Sequence, residues 1–322
     1  MTIPAIDLGG EPFRLLSLDG GGSKGVYTLG VLKELEAYLN EPLWSYFHMV
    51  FGTSTGAIIA SLIALGLSIK DIENHYFDLI PKVMRHKRRS RRTAELRAQA
   101  RAVFGDKRFD AFKTGVGLVA TNYDLERPIL FKSLPSQAHS RRATFEPGLG
   151  CTIAEAVVAS AAAFPFFDRV KVVTRNQGTP ELMDGGFVAN NPTLFALADV
   201  VSALGVQPHD IRVLSVGVGH YKEPQRSWYS RLVFSIWPFQ MINKMFASNT
   251  NTIEAVRQIL FPQVRCVRID ESYPDAQYET DMLESDATKL RKLNILGRES
   301  YAKHEKGIRE TFTPRPQPLD AR

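Results

Sequence analysis

Residues 47–65 read FHMVFGTSTGAIIASLIAL, an apolar stretch interrupted by one short turn with a glycine at each end. Residues 47–51, before the turn, have the length and composition of a buried strand. Residues 57–65, after it, are apolar on almost every side, as in a buried helix. This strand, turn and helix predict one unit of a parallel sheet with crossover helices.

The same order recurs along the chain. Residues 13–18 (FRLLSL) predict a strand, residues 19–25 (DGGGSKG) a glycine-rich turn, and the apolar spacing that follows a helix to about residue 39. Residues 211–218 predict another buried strand, and helices are expected near 231–248, 253–260 and 282–304, with a strand at 264–269 between the last two. The sequence thus predicts an α/β fold with a mostly parallel central sheet flanked by helices. We expect one domain, with its α/β region at 13–219, a C-terminal helical layer of the same domain at 220–312 and a flexible tail at 313–322.

Composition excludes disordered, collagen-like and disulfide-dense classes, because 44% of the 322 residues are hydrophobic and 23% charged. The longest apolar run, residues 57–69, is shorter than the ~20 residues that span a bilayer, and the N-terminus carries no secretory pattern. Two cysteines, Cys151 and Cys266, favour a reducing compartment. We therefore expect a cytoplasmic protein, peripheral at the inner face of the membrane, and the sequence is compatible with a homo-oligomer.

The turn GTSTG (residues 52–56) has the G-x-S-x-G pattern of a nucleophile elbow. A nucleophilic serine needs a sharp strand-to-helix turn, and flanking glycines remove the Cβ atoms that would clash there. The helix N-terminus behind it favours developing negative charge. We therefore predict Ser54 as a nucleophile, with a plain glycine-rich turn as the alternative.

The turn DGGGSKG offers a second site, because successive glycines let backbone N–H groups converge on an anion. This arrangement suits either a phosphate cradle or an oxyanion hole beside a nucleophile. The Walker pattern is absent from the sequence. The dinucleotide fingerprint fits Gly20, Gly22 and Gly25 only loosely, which leaves a Rossmann-type oxidoreductase as a remote alternative.

A serine nucleophile requires a base, and Asp184, followed by Gly185 and Gly186, is one candidate. The candidate for a conventional histidine-containing triad is His220, which follows a predicted strand. No cysteine and histidine cluster has metal-ligand spacing, so we expect no metal and no resident cofactor.

Taken in order, DGGGSKG, GTSTG and DGG (residues 184–186) resemble the motifs of the patatin-like phospholipases. The runs ASAAAFP (residues 159–165) and NNP (residues 190–192) resemble the segments on either side of the aspartate in that family. The resemblance covers about two thirds of the chain, from roughly residue 13 to residue 219.

The resemblance implies hydrolysis of the acyl esters of membrane glycerophospholipids by a serine–aspartate dyad. Ser54 would be the nucleophile and Asp184 the general base. The oxyanion hole would be formed by Gly20, Gly21, Gly22, Ser23, Lys24 and Gly25. Lys24 stands where the family often has arginine, and lysine keeps the charge but lacks the planar guanidinium.

Two further stretches, RRATF (residues 141–145) and GCTIAEA (residues 150–156), resemble a narrower group, the cyclic-nucleotide-activated phospholipases of bacterial anti-phage systems. In that group a cyclic dinucleotide switches the lipase on and the cell's own membrane is degraded. The resemblance implies a cyclic dinucleotide activator and a membrane phospholipid substrate as partners. Unregulated lipid hydrolysis and a non-catalytic nucleotide- or membrane-binding module are the alternatives.

Residues 82–92 hold seven lysines and arginines, and no acidic residue lies between Asp78 and Glu95. The block is interpreted as a solvated mobile loop, a surface for anionic lipid, or a pocket for an anionic regulator. Nucleic acid is not expected as a partner because no aromatic residue is interleaved with the charges. The candidate contacts for an anion or membrane are Arg85, Lys87, Arg88, Arg89, Arg91, Arg92, Arg141 and Arg142.

A dense aromatic cluster over residues 228–241 has two interpretations. It is either core beneath the C-terminal helices, or a lid, acyl tunnel or membrane-inserting face.

Overall fold

A central sheet of eight strands organises the fold in the computed structural model, which describes residues 9–139, 142–221 and 237–315. The strands are β1 (Phe13–Leu18), β2 (Met49–Thr53), β3 (Gly115–Asn122), β4 (Arg127–Lys132), β5 (Val170–Lys171), β6 (Glu181–Asp184), β7 (Ile211–Val216), β8 (His220–Tyr221), β9 (Arg265–Ile269) and β10 (Ser272–Tyr273). The helices are α1 (Gly25–Leu39), α2 (Leu43–Tyr46), α3 (Thr55–Ala64), α4 (Ile69–Met84), α5 (Arg89–Phe104), α6 (Ile153–Ala161), α7 (Gly186–Ala189), α8 (Thr193–Ala198), α9 (Trp237–Leu260) and α10 (Ala287–Thr311).

The strand order is β5-β6-β3-β2-β1-β7-β9, with β4 paired to β3, while β8 and β10 form a separate two-stranded sheet. The pairings from β3 through β2, β1 and β7 to β9 are all parallel. The strands β4, β5 and β6 are added antiparallel at one side. The predicted α/β fold with a mostly parallel sheet is therefore confirmed.

Strand β3 is longer than its parallel neighbour β2, and its extra length pairs with β6, a segment far from β2 in the chain. Strand β4 covers one edge of β3 from Gly117 to Asn122. The other edge is shared by β2, which ends with Thr53 opposite Val119, and by β6, whose Asp184 lies opposite Ala120. The carboxyl ends of β2 and β6 consequently meet end to end.

Side chains of the central strands alternate between two apolar cores. Leu16 and Leu18 of β1 face the larger core, which the helices α1, α3, α4, α6 and α10 share. Phe13 and Leu15 face a second core beneath α8. Both faces of the sheet are covered, and this explains why its strands read as continuous apolar runs rather than alternating ones.

The C-terminal third joins this body directly: β9 pairs with β7, and α10 packs along α1. The boundaries at residues 219 and 312 remain predictions. The two helices expected at 231–248 and 253–260 are wrong as separate elements, because the single helix α9 runs through Leu260. The last helix begins at Ala287, with Asp286 as its N-cap, rather than at residue 282.

The interpretation of residues 82–92 as a loop is wrong for most of the block. Helix α4 continues to Met84 and helix α5 begins at Arg89, so residues 85–88 alone link them. Arg141, residues 228–236 of the aromatic cluster and residues 316–322 of the tail lie outside the described residues.

Candidate active site

Ser54 occupies a strained turn between β2 and α3. Its backbone has φ 54° and ψ −119°, a left-handed conformation that is costly for a residue with a side chain. The turn closes because Gly56 packs against the carbonyl oxygen of Leu18, and a Cβ at this position would collide with that oxygen. Ser54 therefore stands at the head of α3, where the helix dipole favours negative charge.

Ser160, near the end of α6, holds this turn from the side. The Ser54 N–H donates to Ser160 Oγ at 2.9 Å, and the Ser160 hydroxyl donates to the Val119 carbonyl at 2.6 Å. The Gly185 N–H donates to the Ser160 carbonyl oxygen at 3.2 Å. Ser160 thus links the nucleophile turn, β3 and the segment after Asp184. The run ASAAAFP (residues 159–165) contains Ser160, but the sequence did not predict this role for it.

Asp184 ends β6 and is fully buried. Its Oδ1 accepts a hydrogen bond from the Gly186 N–H at 2.7 Å, whereas Oδ2 accepts none of standard geometry from any described residue. Burial raises the pKa of Asp184 to about 7, against the lowering effects of the Ser54 hydroxyl and the Gly186 N–H. A carboxyl group with this pKa is suited to exchange a proton near neutral pH.

The predicted oxyanion hole contains six residues of the glycine-rich loop, but not all six have a free backbone N–H. Four of them are excluded as amide donors to an oxyanion, because their N–H groups already donate to protein carbonyls. The Gly20 N–H donates to the Asn190 carbonyl at 2.9 Å, and the Ser23 N–H to the Met282 carbonyl at 3.0 Å. The Lys24 N–H donates to the Gly21 carbonyl at 3.3 Å, and the Gly25 N–H to the carbonyls of Gly22 and Ser23.

The amides of Gly21 and Gly22 have no partner among the described residues, and both glycines line the same cavity as Ser54 and Asp184. Gly22 has φ +60°, and a Cβ there would collide with the Met282 carbonyl oxygen. Of the six predicted residues, these two are thus the ones whose amides are left to donate to an oxyanion.

Behind the loop, Arg268 of β9 binds the first residue of the DGGG motif. Its guanidinium donates to both carboxylate oxygens of Asp19, at 2.8 and 2.5 Å, and to Asp270 at 2.7 Å. Two-point pairing of this kind fixes direction as well as distance. Arg268 thereby anchors the loop, and Lys24 adds a long contact of 3.4 Å to the Gly219 carbonyl oxygen.

His220 lies in this anchoring network. Its Nε2 is 3.0 Å from Oδ2 of Asp270, and neither residue lines the cavity that contains Ser54. The alternative of a conventional triad through His220 is therefore wrong.

The cavity at Ser54 has a volume of about 550 Å³ and is mostly apolar beyond the polar groups described above. Its apolar wall comes from α3, α4, α5, α6, α9 and the loop before α10. The wall residues are Ile58, Tyr76, Leu79, Ile80, Val83, Met84, Leu96, Ala161, Ala163, Phe167, Phe246, Met282 and Leu283. A second apolar cavity of about 350 Å³ shares Ile58, Tyr76, Leu79 and Leu96 with it. An apolar lining beside a serine and a carboxyl group suits contact with a hydrocarbon chain.

The predicted anion contacts fall into three groups. Arg85, Lys87, Arg88, Arg89 and Arg91 are exposed at the link between α4 and α5, next to the cavity residues Val83 and Met84. Arg92 is half-buried, and its Nε is enclosed without a described hydrogen-bond partner. Arg142 is described only in its backbone.

Within the described ranges, no helix is both long and apolar enough to cross a bilayer. In the same ranges, no group of three or more histidine, cysteine or acidic residues is arranged to hold a metal ion.

Comparison with known proteins identifies the family of this chain. The family model described as patatin-like phospholipase matches residues 16–197. A cUMP-AMP-activated phospholipase of Escherichia coli is 46% identical over 297 residues, covering 92% of this chain and 93% of that protein. A cGAMP-activated phospholipase of Escherichia coli strain TW11681 is 27% identical over 232 residues, covering 63% of this chain and 61% of that protein.

Among solved structures, VipD from Legionella pneumophila matches with a TM-score of 0.47 and 12% identity, covering 94% of this chain and 69% of that one. The family model spans more than half of the chain, and the cUMP-AMP-activated relative aligns over nearly all of it. The chain therefore belongs to the patatin-like phospholipases, a family of serine acyl hydrolases.

Proposed function

We propose that this chain cleaves acyl esters of membrane glycerophospholipids through Ser54 and Asp184, and that a cyclic dinucleotide switches this activity on in anti-phage defence. The catalytic part of this proposal rests on two features that lie at one cavity. Ser54 has a strained left-handed backbone, and the buried Asp184 has its pKa raised to about 7.

The chemistry begins with attack of Ser54 Oγ on the acyl carbonyl carbon, while Asp184 takes the hydroxyl proton. The carbonyl oxygen becomes an oxyanion, which accepts hydrogen bonds from the amides of Gly21 and Gly22. Each such donor typically contributes ~3 kcal/mol to transition-state stabilisation. Collapse breaks the ester bond, and Asp184 returns the proton to the departing lysophospholipid oxygen.

Water then attacks the acyl-serine ester. Asp184 takes a proton from this water, the same two amides stabilise the second oxyanion, and Ser54 Oγ leaves with the proton as the fatty acid is released. The burial of Asp184 supports this double role, because desolvation brings its pKa close to neutral pH, where a group both accepts and donates protons readily. Every step uses the protein and water alone.

Support for the nucleotide switch comes from the relatives. The cUMP-AMP-activated phospholipase aligns over 92% of this chain, while the cGAMP-activated relative aligns over 63%. Because the first alignment extends through the C-terminal third, we propose cUMP-AMP as the first activator to test.

The test is fatty-acid release from mixed phospholipid vesicles by the purified protein. It is measured alone, with cUMP-AMP and with cGAMP, and with Ser54→Ala protein in parallel. The expected result is release that requires one nucleotide and is absent in Ser54→Ala. Release without nucleotide would support the hydrolase activity and contradict its activation by a nucleotide. A Ser54→Ala protein that still releases fatty acid would overturn the assignment of the nucleophile.

A further inference from the structure

Four cations lie unpaired where helices α4 and α5 join. Arg85, Lys87, Arg88 and Arg91 are exposed, and none of the ion pairs in the described part of the chain involves them. Their neighbours Lys82 and Arg89, by contrast, pair with Asp78 at 2.5 Å and Asp168 at 2.8 Å. The four therefore form a concentrated positive surface that no described carboxylate neutralises.

Two exposed aromatic side chains adjoin this positive surface. Phe164 is 37% exposed and Tyr123 is 45% exposed. The Arg89 guanidinium lies 5.6 Å from the Phe164 ring centroid, which ties Phe164 to the start of α5. Arg169 lies over both rings, 3.9 Å from the Tyr123 centroid and 5.8 Å from that of Phe164. We call the six residues Arg85, Lys87, Arg88, Arg91, Phe164 and Tyr123 the cation–aromatic rim.

The rim begins where the lining of the catalytic cavity ends. Val83 and Met84 line the cavity, and Arg85 is the next residue. Ala163 also lines it, and Phe164 follows directly. Tyr123 follows the carboxyl end of β3, and its N–H donates to the carbonyl oxygen of Glu181, the first residue of β6, at 2.9 Å. Arg85 and Phe164 of the rim therefore each directly follow cavity-lining residues.

We propose that the cation–aromatic rim docks the protein on the surface of an anionic phospholipid bilayer, so that an acyl chain enters the cavity directly from the membrane. The four free cations complement lipid phosphates, each Lys or Arg near such a surface adding roughly fivefold to binding. Aromatic rings at the same level are suited to the boundary between headgroups and acyl chains. This inference rests on the proposed function, because it takes membrane phospholipid as the substrate.

The experiment measures sedimentation with vesicles of phosphatidylcholine alone and of phosphatidylcholine mixed with phosphatidylglycerol. Ser54→Ala protein is the parent throughout, so that no lipid is consumed. Arg88→Glu with Arg91→Glu is expected to weaken binding to the anionic vesicles at least tenfold. Phe164→Ser with Tyr123→Ser is expected to weaken it several-fold.

Matched controls lie away from the rim. Arg101 and Lys107 are exposed cations near the far end of α5, and Arg101 is about 15 Å along the helix from Arg91. Their double change to Glu alters the net charge equally and is expected to leave binding unchanged. Ile259 and Leu260, 76% and 62% exposed at the end of α9, give the matching apolar control as a double change to Ser.

Three results would overturn the proposal. The first is equal binding of the parent to neutral and anionic vesicles, and the second is equal loss in the rim and control variants. The third is a rim double variant that keeps vesicle binding but loses binding of a cyclic dinucleotide, which would make the rim a nucleotide site.

A separate readout distinguishes this inference from the proposed function. Rim variants that retain Ser54 are assayed with a soluble short-chain ester, which needs no membrane, in the presence of cUMP-AMP or cGAMP, and are expected to match the unmodified protein. If no protein cleaves this ester or any vesicle lipid, the proposed function fails while the sedimentation result still decides the docking surface. If the ester is cleaved and the rim variants bind vesicles normally, only the docking inference fails.

Discussion

Thr53 and Asp184 pair with consecutive residues, Val119 and Ala120, on the same edge of β3. They are more than a hundred residues apart in the chain, yet β2 and β6 meet end to end along this edge. Ser54 follows Thr53 directly, so this register brings the proposed nucleophile to the proposed base. Strand pairing and Ser160, rather than a loop closing on the site, therefore hold the two residues of the proposed dyad.

The first prediction concerns pH. Because Asp184 must be ionised to take the Ser54 proton, and burial raises its pKa to about 7, activity should rise with pH through this value. Well below pH 7, kcat/KM for a soluble ester should fall about tenfold per pH unit. A soluble substrate is needed because lipid headgroups titrate themselves. A flat profile from pH 5 to pH 8 would contradict the role of Asp184 as base.

The second prediction concerns Ser160. Ser160→Ala removes the acceptor for the Ser54 N–H and leaves a buried donor unpaired, which costs about 1–3 kcal/mol. Because the strained turn loses its lateral support, kcat should fall at least tenfold while the protein stays folded. Ser61→Ala is the control, since Ser61 is equally buried and its hydroxyl donates to the Ala57 carbonyl within its own helix. Equal kinetic losses in both variants would mean that Ser160 has no special role in positioning Ser54.

The third prediction separates backbone strain from collision in the glycine-rich loop. Gly22 and Gly105 have similar positive φ angles, but a Cβ at Gly22 would meet the Met282 carbonyl oxygen, whereas at Gly105 nothing lies within 4 Å. Gly105→Ala should therefore cost only the backbone strain of its positive φ, about 1–3 kcal/mol of the unfolding free energy. Gly22→Ala should also displace the oxyanion-hole amides and abolish ester hydrolysis. Full activity in Gly22→Ala would show that the glycine-rich loop takes no part in the mechanism.

The fourth prediction concerns the anchor of that loop. Arg268→Gln leaves the buried Asp19 without its ionic partner, a change that typically costs about 3–5 kcal/mol of unfolding free energy. Arg298→Gln breaks the more exposed pair with Glu34 and should cost less than about 1 kcal/mol. Urea denaturation measures both, and a soluble ester assay reports whether the oxyanion loop keeps its geometry. Similar losses of stability in the two variants would show that Arg268 is not a structural anchor.

Much of the site was predictable because its signals are local. The Ser54 turn has flanking glycines, the loop at Gly20–Gly22 has successive glycines, and Asp184 precedes two more. Each pattern follows from the backbone conformation that its turn requires. The number of free amides in the loop was not predictable, because it depends on carbonyls of Asn190 and Met282, which lie far away in the chain.

Strand β6 and helix α5 show why other features escaped prediction. Strand β6 has only four residues and pairs antiparallel with β3. Its sequence is too short to show a periodicity from which this register could be predicted. In α5 the arginines obscure a real helical signal: Leu96, Ala100 and Phe104 recur every four residues and are all buried. That spacing identifies the helix within a segment that its charge made look like a loop.

The most direct test of the dyad is labelling with a fluorophosphonate, followed by peptide mapping in a mass spectrometer. The reagent forms a covalent bond with an activated serine hydroxyl, and it works without lipid, without a membrane and before any substrate has been identified. With cUMP-AMP or cGAMP present, we predict one labelled residue, Ser54, no labelling in Ser54→Ala, and labelling slowed at least a hundredfold in Asp184→Asn. A label on another serine, or unchanged labelling of Ser54 in Asp184→Asn, would contradict the account of a Ser54–Asp184 dyad.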